Sequence, residues 1–507
     1  MANPQPTPKG PPSSDSLQPQ APSQEAPKSG VVQRAFDRSY ANRILLLFAL
    51  LAAFVMYVDI MLTPSLPSIS KQYGISDAEA SLIISLYTVF GTALNPLVGK
   101  LGDIYGKKKI LTYVLVFYSI MVATTSFAPT FNILLLTRTF QGIGLSIFPL
   151  AFSLVREEFP RDLVPRAQGL LSAMFGAGAA AGLPFGAFLA NSYGWQANYH
   201  VALPFIAVLT ILIVIFVKES VFKNPTAKMD YIGAGVLGAS LGMLVFGVSQ
   251  GSAWGWNSIP VLALLLVGAA LLVPLVMYER RIKFPVLNLK MLGNRNVFIS
   301  NIVGFVFGMA MFIAFFALSF KLEYPPPAGF NFDIFTTGLY LLPLAISLLI
   351  VTYPVGILIS KYGVKPFLYL GSAIGAFGFY LLSAAMSATQ IAAYLVVASV
   401  GLGMLMVATQ NLLVLTVKRE EMGLATSMNV VFRNAGSSLG APIAGSLLST
   451  FAISEVVNGQ LFSIPQNVAF QYSYYFAVAG FIVSLIICLF AREVIGKKVK
   501  GEILAQG

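Results

Sequence analysis

The stretch Gly99-Lys-Leu-Gly-Asp-Ile-Tyr-Gly-Lys-Lys-Lys-Ile110 lies between two apolar runs, residues 80–98 and 110–128. Each run has about 20 residues, the length a helix needs to cross a bilayer. The stretch therefore reads as a tight loop between two membrane spans. It carries one acid, Asp103, and three consecutive lysines, Lys107, Lys108 and Lys109. Lysines clustered beside a span mark the cytoplasmic side of a membrane. Gly99 and Gly106 let the chain turn and approach its neighbours closely.

Composition extends that reading to the whole chain. Of 507 residues, 57% are hydrophobic and 10% charged, which excludes an ordinary soluble domain and indicates an all-α polytopic membrane protein. The net charge of +12 raises nucleic acid as a partner. The distribution of the charge excludes it. With the N-terminus inside, all but four of the 32 Lys/Arg fall in cytoplasmic segments, as the positive-inside rule requires. The four are Lys71 and Lys321 on the other side, and Arg138 and Arg433 within spans. Cys488 is the single cysteine, so no intramolecular disulfide is possible. His200 is the single histidine, which excludes Cys/His metal sites. No phosphate-binding loop of the Walker type occurs. We expect no metal and no cofactor.

Residues 1–36 are rich in Pro, Ser and Gln and read as a disordered cytoplasmic tail. Apolar spans follow at about 44–66, 80–98, 110–128, 131–154, 167–190, 200–217, 231–249, 258–278, 298–320, 335–359, 366–386, 389–416, 424–450 and 472–491. Fourteen spans put both termini on one side. Three residue patterns recur at nearly equal shifts. Gly99, Gly106 and Lys108 return as Gly356, Gly363 and Lys365. Gly178, Gly182 and Pro184 return as Gly436, Gly440 and Pro442. Gly142 and Gly144 return as Gly401 and Gly403. The repeat predicts two pseudo-symmetric six-helix bundles, 37–225 and 296–495. The segment 226–295 supplies two extra central helices, and 496–507 a cytoplasmic tail.

The pattern G-x-x-x-D-x-x-G-[KR]-[KR], met here by Gly99, Asp103, Gly106, Lys107 and Lys108, resembles the helix 2–3 loop of the major facilitator superfamily. In that family the acid and the basic residues latch the inner gate. Leu136-Thr-Arg-Thr-Phe-Gln-Gly-Ile-Gly144 is similar to the family's helix 4 motif, with Arg138, Gln141, Gly142 and Gly144 matching. The run Gly176-Ala-Gly-Ala-Ala-Ala-Gly-Leu-Pro-Phe-Gly186 resembles the helix 5 signature of the antiporters, through Gly178, Gly182, Pro184 and Gly186. Its glycines also contain a G-x-G-x-x-A pattern, but dinucleotide binding needs a preceding strand, and none exists. Gly178, Gly182 and Gly186 fall four apart on one helix face, which permits close packing. With fourteen spans, the chain resembles the drug:proton antiporter branch, which includes multidrug and tetracycline exporters.

Asp59, in Met56-Tyr-Val-Asp-Ile-Met-Leu-Thr-Pro-Ser-Leu-Pro67, is the one acid well inside an apolar span. A charge there costs several kcal/mol unless paired or hydrated, so it is a functional candidate by default. Counted from the inner surface at 1.5 Å per residue, Asp59 and Arg138 reach similar depth. Charges in a membrane pair, so an Asp59–Arg138 contact is expected. Arg433, with Asn411 and Asn434, is a candidate lining for a substrate cavity, and Gln410 and Asn429 are candidates for interhelical hydrogen bonds.

The resemblance implies a monomeric transporter of the plasma membrane, surrounded by lipid, that works by alternating access. Its partners would be protons and a small lipophilic substrate exported in exchange. Two buried arginines against one buried acid keep a second reading open, a carrier of sugars or organic acids on the same fold. Neither reading is of an enzyme.

Overall fold

The computed structural model describes residues 38–160, 163–220, 230–282, 285–417, 421–457 and 460–492. The expected tails, 1–36 and 496–507, lie outside the described residues. Thirteen helices are long and apolar enough to cross a membrane. They are α1 Arg38–Tyr73, α2 Asp77–Tyr105, α3 Lys107–Ser126, α4 Phe131–Glu158, α5 Arg166–Tyr193, α6 Gln196–Phe216, α7 Tyr231–Trp254, α8 Ile259–Glu279, α9 Arg295–Glu323, α10 Ile334–Tyr362, α11 Lys365–Ser383, α12 Ala388–Thr416 and, after the next helix, α14 Asn467–Leu489. The remaining long helix, α13, runs from Met422 to Thr450. It is as long as its neighbours, but Asn429, Arg433, Asn434 and repeated Gly and Ser lower its hydropathy.

The helices overrun the apolar runs. The first was expected over 44–66 and covers 38–73. Its final turns, Leu66–Tyr73, hold Ser68, Ser70 and Lys71, which hydropathy does not count as membrane. The same effect corrects the reading of residues 99–110 as a loop. α2 stays helical through Asp103 to Tyr105, and α3 begins at Lys107. The turn is the single residue Gly106, at φ +111°.

One small departure from an all-helical fold follows α13. Strands β1 Ala452–Val457 and β2 Gln460–Pro465 pair antiparallel, with Ala452 opposite Pro465 and Val457 opposite Gln460. The sequence between them is Asn458-Gly459, the strongest short hairpin signal.

Packing repeats itself along the chain. α1 packs on α5 as α9 packs on α13, and α3 on α6 as α11 on α14. Two further pairs join the first six helices to the last six, α5 with α10 and α2 with α13. The reason lies partly in the spaced glycines. A Cβ at Gly178 would strike the Ala53 carbonyl of α1, and one at Gly436 the Phe305 carbonyl of α9. The two patterns occupy corresponding faces. The Gly142/Gly144 and Gly401/Gly403 pair does not. Gly142 meets Tyr87 of α2 and Gly144 meets Tyr118 of α3, whereas Gly401 meets α11 and Gly403 meets Val351 of α10. α4 passes through a 3-10 segment, Gly142–Ser146, where α12 is regular, and the tighter winding shifts the face presented.

Candidate functional site

The site begins with a defect in α1. Its first α-helical segment ends at Ile60, a 3-10 turn occupies Thr63–Ser65, and helix resumes at Leu66. Pro64 has no N–H to give to a preceding carbonyl, so the break is written in the sequence. A helix end leaves its last carbonyls without intrahelical partners and carries partial negative charge. Arg138 answers both needs. Its Nη2 donates to the Asp59 carbonyl at 2.7 Å and its Nη1 to the Val58 carbonyl at 3.3 Å.

The predicted pair is present. Arg138 Nη2 lies 3.6 Å from Asp59 Oδ1. The carboxylate is thus farther from the guanidinium than the main-chain carbonyls are. Nη1 also donates to Gln141 Oε1 at 2.9 Å, and the guanidinium stacks over the Tyr87 ring at 4.4 Å. Gln141 in turn donates to the Met121 carbonyl at 3.2 Å and to Thr125 Oγ1. The cation therefore sits in a nest of dipoles drawn from α1, α2 and α4, and α3 anchors that nest. Arg138 is 1% exposed, whereas the Asp59 side chain keeps 14%. The acid, not the base, keeps some exposure.

Sequence reasoning named Asp59, Arg138 and Gln141 and missed the aromatic shell. Tyr87, Tyr118 and Tyr199 are fully buried around the pair, with the Tyr87 hydroxyl toward the Asp59 carboxylate and the Tyr199 hydroxyl toward Gln141 and Arg138. The signal was available in principle, because a tyrosine is an expensive choice for a span interior. Gly142 and Gly144 have a role here. Gly142 lets α4 press against the Tyr87 carbonyl, and Gly144 leaves room for the Tyr118 ring. On the other side of α1, Gly182 and Gly186 of α5 approach the backbone at Tyr57 and Met61. Pro184 lies inside that helix. Asn198 clamps the junction, donating to the Gly186 carbonyl at 3.0 Å and accepting from Tyr57 Oη at 3.4 Å. The glycine motif thus seats the helix that carries Asp59.

At the far end of α2, Asp103 pairs with Lys107 at 3.1 Å and with Lys100 at 3.8 Å, and Lys107 also reaches Glu157 of α4 at 2.7 Å. Lys108 N and Lys109 N donate to the Glu219 carboxylate at 3.0 Å each, and Lys108 Nζ to the Val214 carbonyl at 2.8 Å. A Cβ at Gly106 would lie only 2.6 Å from the Glu219 carboxylate. This cluster joins α2, α3, α4 and the segment after α6. The resemblance implies that Asp103 latches the inner gate, which would need a contact across the two bundles. Among the described residues the ion pairs of Asp103 lie within the first six helices, because the one-residue turn at Gly106 brings Lys107 to it first. Glu157 and Glu219 were not foreseen. A Cβ at Gly99 would meet nothing within 4 Å.

The opposite end of α2 is one place where the bundles touch. Tyr324 Oη, just beyond α9, donates to Asp77 Oδ1 at 2.7 Å. Ala78 N donates to Ser449 Oγ of α13 at 3.0 Å, and Ser249 Oγ of α7 donates to the Ala78 carbonyl at 2.7 Å. Asp77 is 7% exposed. The expectation was of one acid well inside a span, Asp59; Asp77, Glu158, Asp230 and Glu279 are buried as well, at helix ends. Apolar run-length does not register acids at helix ends.

In the last six helices, Asn429 donates to the Ser300 carbonyl at 2.9 Å and accepts from Gln410 at 3.0 Å, tying α13 to α9 and α12. Asn411 donates to the Val407 carbonyl of its own helix at 2.9 Å. Arg433 and Asn434 are half-buried, and Arg433 pairs with no acid among the described residues. A cavity of about 540 Å³ beside Lys321, Phe330 and Phe470 includes none of these residues.

The model of the Major Facilitator Superfamily matches residues 48–348 and 301–505. Multidrug resistance protein 3 of Bacillus subtilis is 27% identical over 379 residues, 72% of this chain and 71% of that one. The tetracenomycin C resistance and export protein of Streptomyces glaucescens is 26% identical over 390 residues, 76% and 71% of the two chains. An MFS-type transporter of Mycobacterium tuberculosis is 29% identical over 398 residues, and the match spans 77% of this chain but 57% of that longer one. Among solved structures, a bacterial homologue of the human lysosomal transporter Spinster aligns with a TM-score of 0.63 at 14% identity, covering 90% of this chain and 96% of that one. The human organic anion transporter MFSD10 aligns at 0.58 and 15%, covering 88% and 99%. The many-helix fold agrees with these matches, and the chain belongs to the Major Facilitator Superfamily.

Proposed function

We propose that the chain exports small lipophilic compounds across the plasma membrane in exchange for protons, with both termini in the cytoplasm. The observation that carries this is the Asp59–Arg138 pair, a largely buried acid that keeps some exposure beside a cation that is held independently of it. Protonating Asp59 removes one member of the pair without unseating the other. A carboxyl so placed changes its proton affinity when water or the cation moves, and alternating access supplies that movement. The multidrug and tetracenomycin relatives support the substrate class. Asp77, Tyr324 and Ser449 form the closed outer gate of an inward-facing state. The Asp103 cluster forms the inner hinge. A pH-gradient-driven screen of lipophilic solutes in proteoliposomes tests the reading. Accumulation that ignores the proton gradient overturns it.

A second reading rests on Arg433, a half-buried cation with no acid beside it. Such a cation suits an anionic substrate such as an organic acid. Counterflow in vesicles with cationic, neutral and anionic solutes separates the two readings.

A further inference from the structure

The two seams between the bundles are equivalent in the repeat but not in their surroundings. α7 lies along both members of one seam, α2 and α13. Its contacts with α2 run from Ser249 on Ala78 to Gly238 beside Ala93. That is sixteen residues of α2, a rise of about 22 Å. Leu237, Leu241 and Val245 of α7 share one buried apolar cluster with Leu82 and Val89 of α2 and Met428 and Val431 of α13. At the end near Asp77, Trp256, just beyond α7, donates to Thr450 of α13 at 3.3 Å. Ala234 of α7 carries the cluster on to Leu97 of α2 and Leu424 of α13, and over that length α7 stands between this seam and lipid.

No helix among the described residues covers the other seam, α5 with α10, in this way. These helices run antiparallel in strict register. A Cβ at Gly338 would lie 2.5 Å from Ala187 Cβ, and one at Gly176 would lie 2.8 Å from Leu349. Gly169 and Gly356 stand seven residues farther along, on the same faces, because seven residues are close to two whole turns. There a Cβ on either glycine would meet nothing within 4 Å. The helices have parted over about 10 Å of rise. Tyr353, beside the gap, is 76% exposed.

We propose that the two extra helices make membrane access one-sided. α7 closes the α2–α13 seam, and bilayer-dissolved lipophilic substrate enters between α5 and α10 at the level of Gly169 and Gly356. This rests on the exporter reading and adds the route and a role for α7 and α8. The probe is tetraphenylphosphonium, which dissolves in bilayers. On a Cys488→Ser background, Gly356→Cys and, separately, Gly235→Cys are reacted with N-dodecylmaleimide. Gly235 is an exposed α7 position with open space around it. Saturating tetraphenylphosphonium should slow the reaction at position 356 and leave position 235 unchanged. Alkylation at 356 should remove more than half of the initial efflux rate, and alkylation at 235 should not. An Ala93→Cys/Gly238→Cys disulfide, pinning α7 to α2, should leave transport intact. Equal protection at both positions, protection at neither, or transport abolished by that disulfide overturns the inference. Wild-type protein that fails to move the probe against its gradient overturns the exporter reading instead, and the protection assay still reads the portal.

Discussion

Arg138 is held more tightly by the main chain of α1 than by the side chain of Asp59. Two carbonyls, Gln141 and the Tyr87 ring surround it, and the carboxylate stands off at 3.6 Å. Hydrogen bonds to a charged group are each worth about 1.5–3 kcal/mol, so the remaining partners keep the cation seated without the acid. Asp59→Asn should therefore fold and insert as wild type does, and should lose pH-driven accumulation while keeping downhill exchange. Transport in proteoliposomes with and without a proton gradient checks this. Accumulation at the wild-type rate would make Asp59 structural. Arg138→Ala should be worse for the fold. It leaves a buried acid unpaired, at about 3–5 kcal/mol, and deprives the α1 break of its cation. Thermal melting in detergent should show that difference, and equal stability of the two variants would contradict the ranking. The pair itself was legible, because charge in an apolar run is rare. The tyrosine shell was not, since nothing in a tyrosine's spacing says whether it faces lipid or a buried guanidinium.

Helices in this molecule meet through glycines whose neighbours decide what each tolerates. Gly178 presses on the Ala53 carbonyl, so a side chain there must move α5 off α1, and overpacking of this kind costs about 1–3 kcal/mol or more. Gly99 faces open space. Gly178→Val should reduce the yield of folded, monodisperse protein in size-exclusion chromatography, and Gly99→Ala should not. Equal yields would show that the α1–α5 contact is looser than described. Run-lengths of apolar residues located all fourteen long helices, but not their ends. The helix 2–3 turn shrank to Gly106 because glycine at positive φ permits a one-residue break. The hydrogen-bonded contact at the other end of α2 was invisible in the sequence, because Asp77, Tyr324 and Ser449 are far apart along the chain. Tyr324→Phe removes the bond to Asp77. If that bond is worth about 1.5–3 kcal/mol, opening at this end becomes roughly 10- to 100-fold easier. Spin-label distances across the Asp77 end should lengthen, and an unchanged distribution would leave the gate to Ser449 and the apolar contacts.

The whole molecule turns on whether α13 crosses. Thirteen helices qualify by length and hydropathy, and α13 does not. An odd number of crossings would put Arg492 opposite Arg38, and an even number would put them together. Packing argues for the even number. α13 lies along α9 from Asn429 on Ser300, through Gly436 on Phe305, to Gly440 on Met309. It ends with Ser449 bonded at the Asp77 end. Its polar residues face protein, where a low hydropathy costs little, and not lipid, where it would matter. Basic residues supply the orientation. Lys100, Lys107, Lys108, Lys109 and Arg156 gather at the Asp103 end, which the inside bias of such residues assigns to the cytoplasm. Trp195, Trp254 and Trp256 gather at the other end. On a Cys488→Ser background, we expect Lys109→Cys and Arg492→Cys to react with an impermeant maleimide only after permeabilisation of intact cells. Asn257→Cys, in the turn between α7 and α8, should react without it. Reaction of Lys109→Cys from outside would invert the molecule and with it the direction of every proposed step. Reaction of Arg492→Cys from outside, with Lys109→Cys protected, would mean that one long helix, α13 first among them, does not cross.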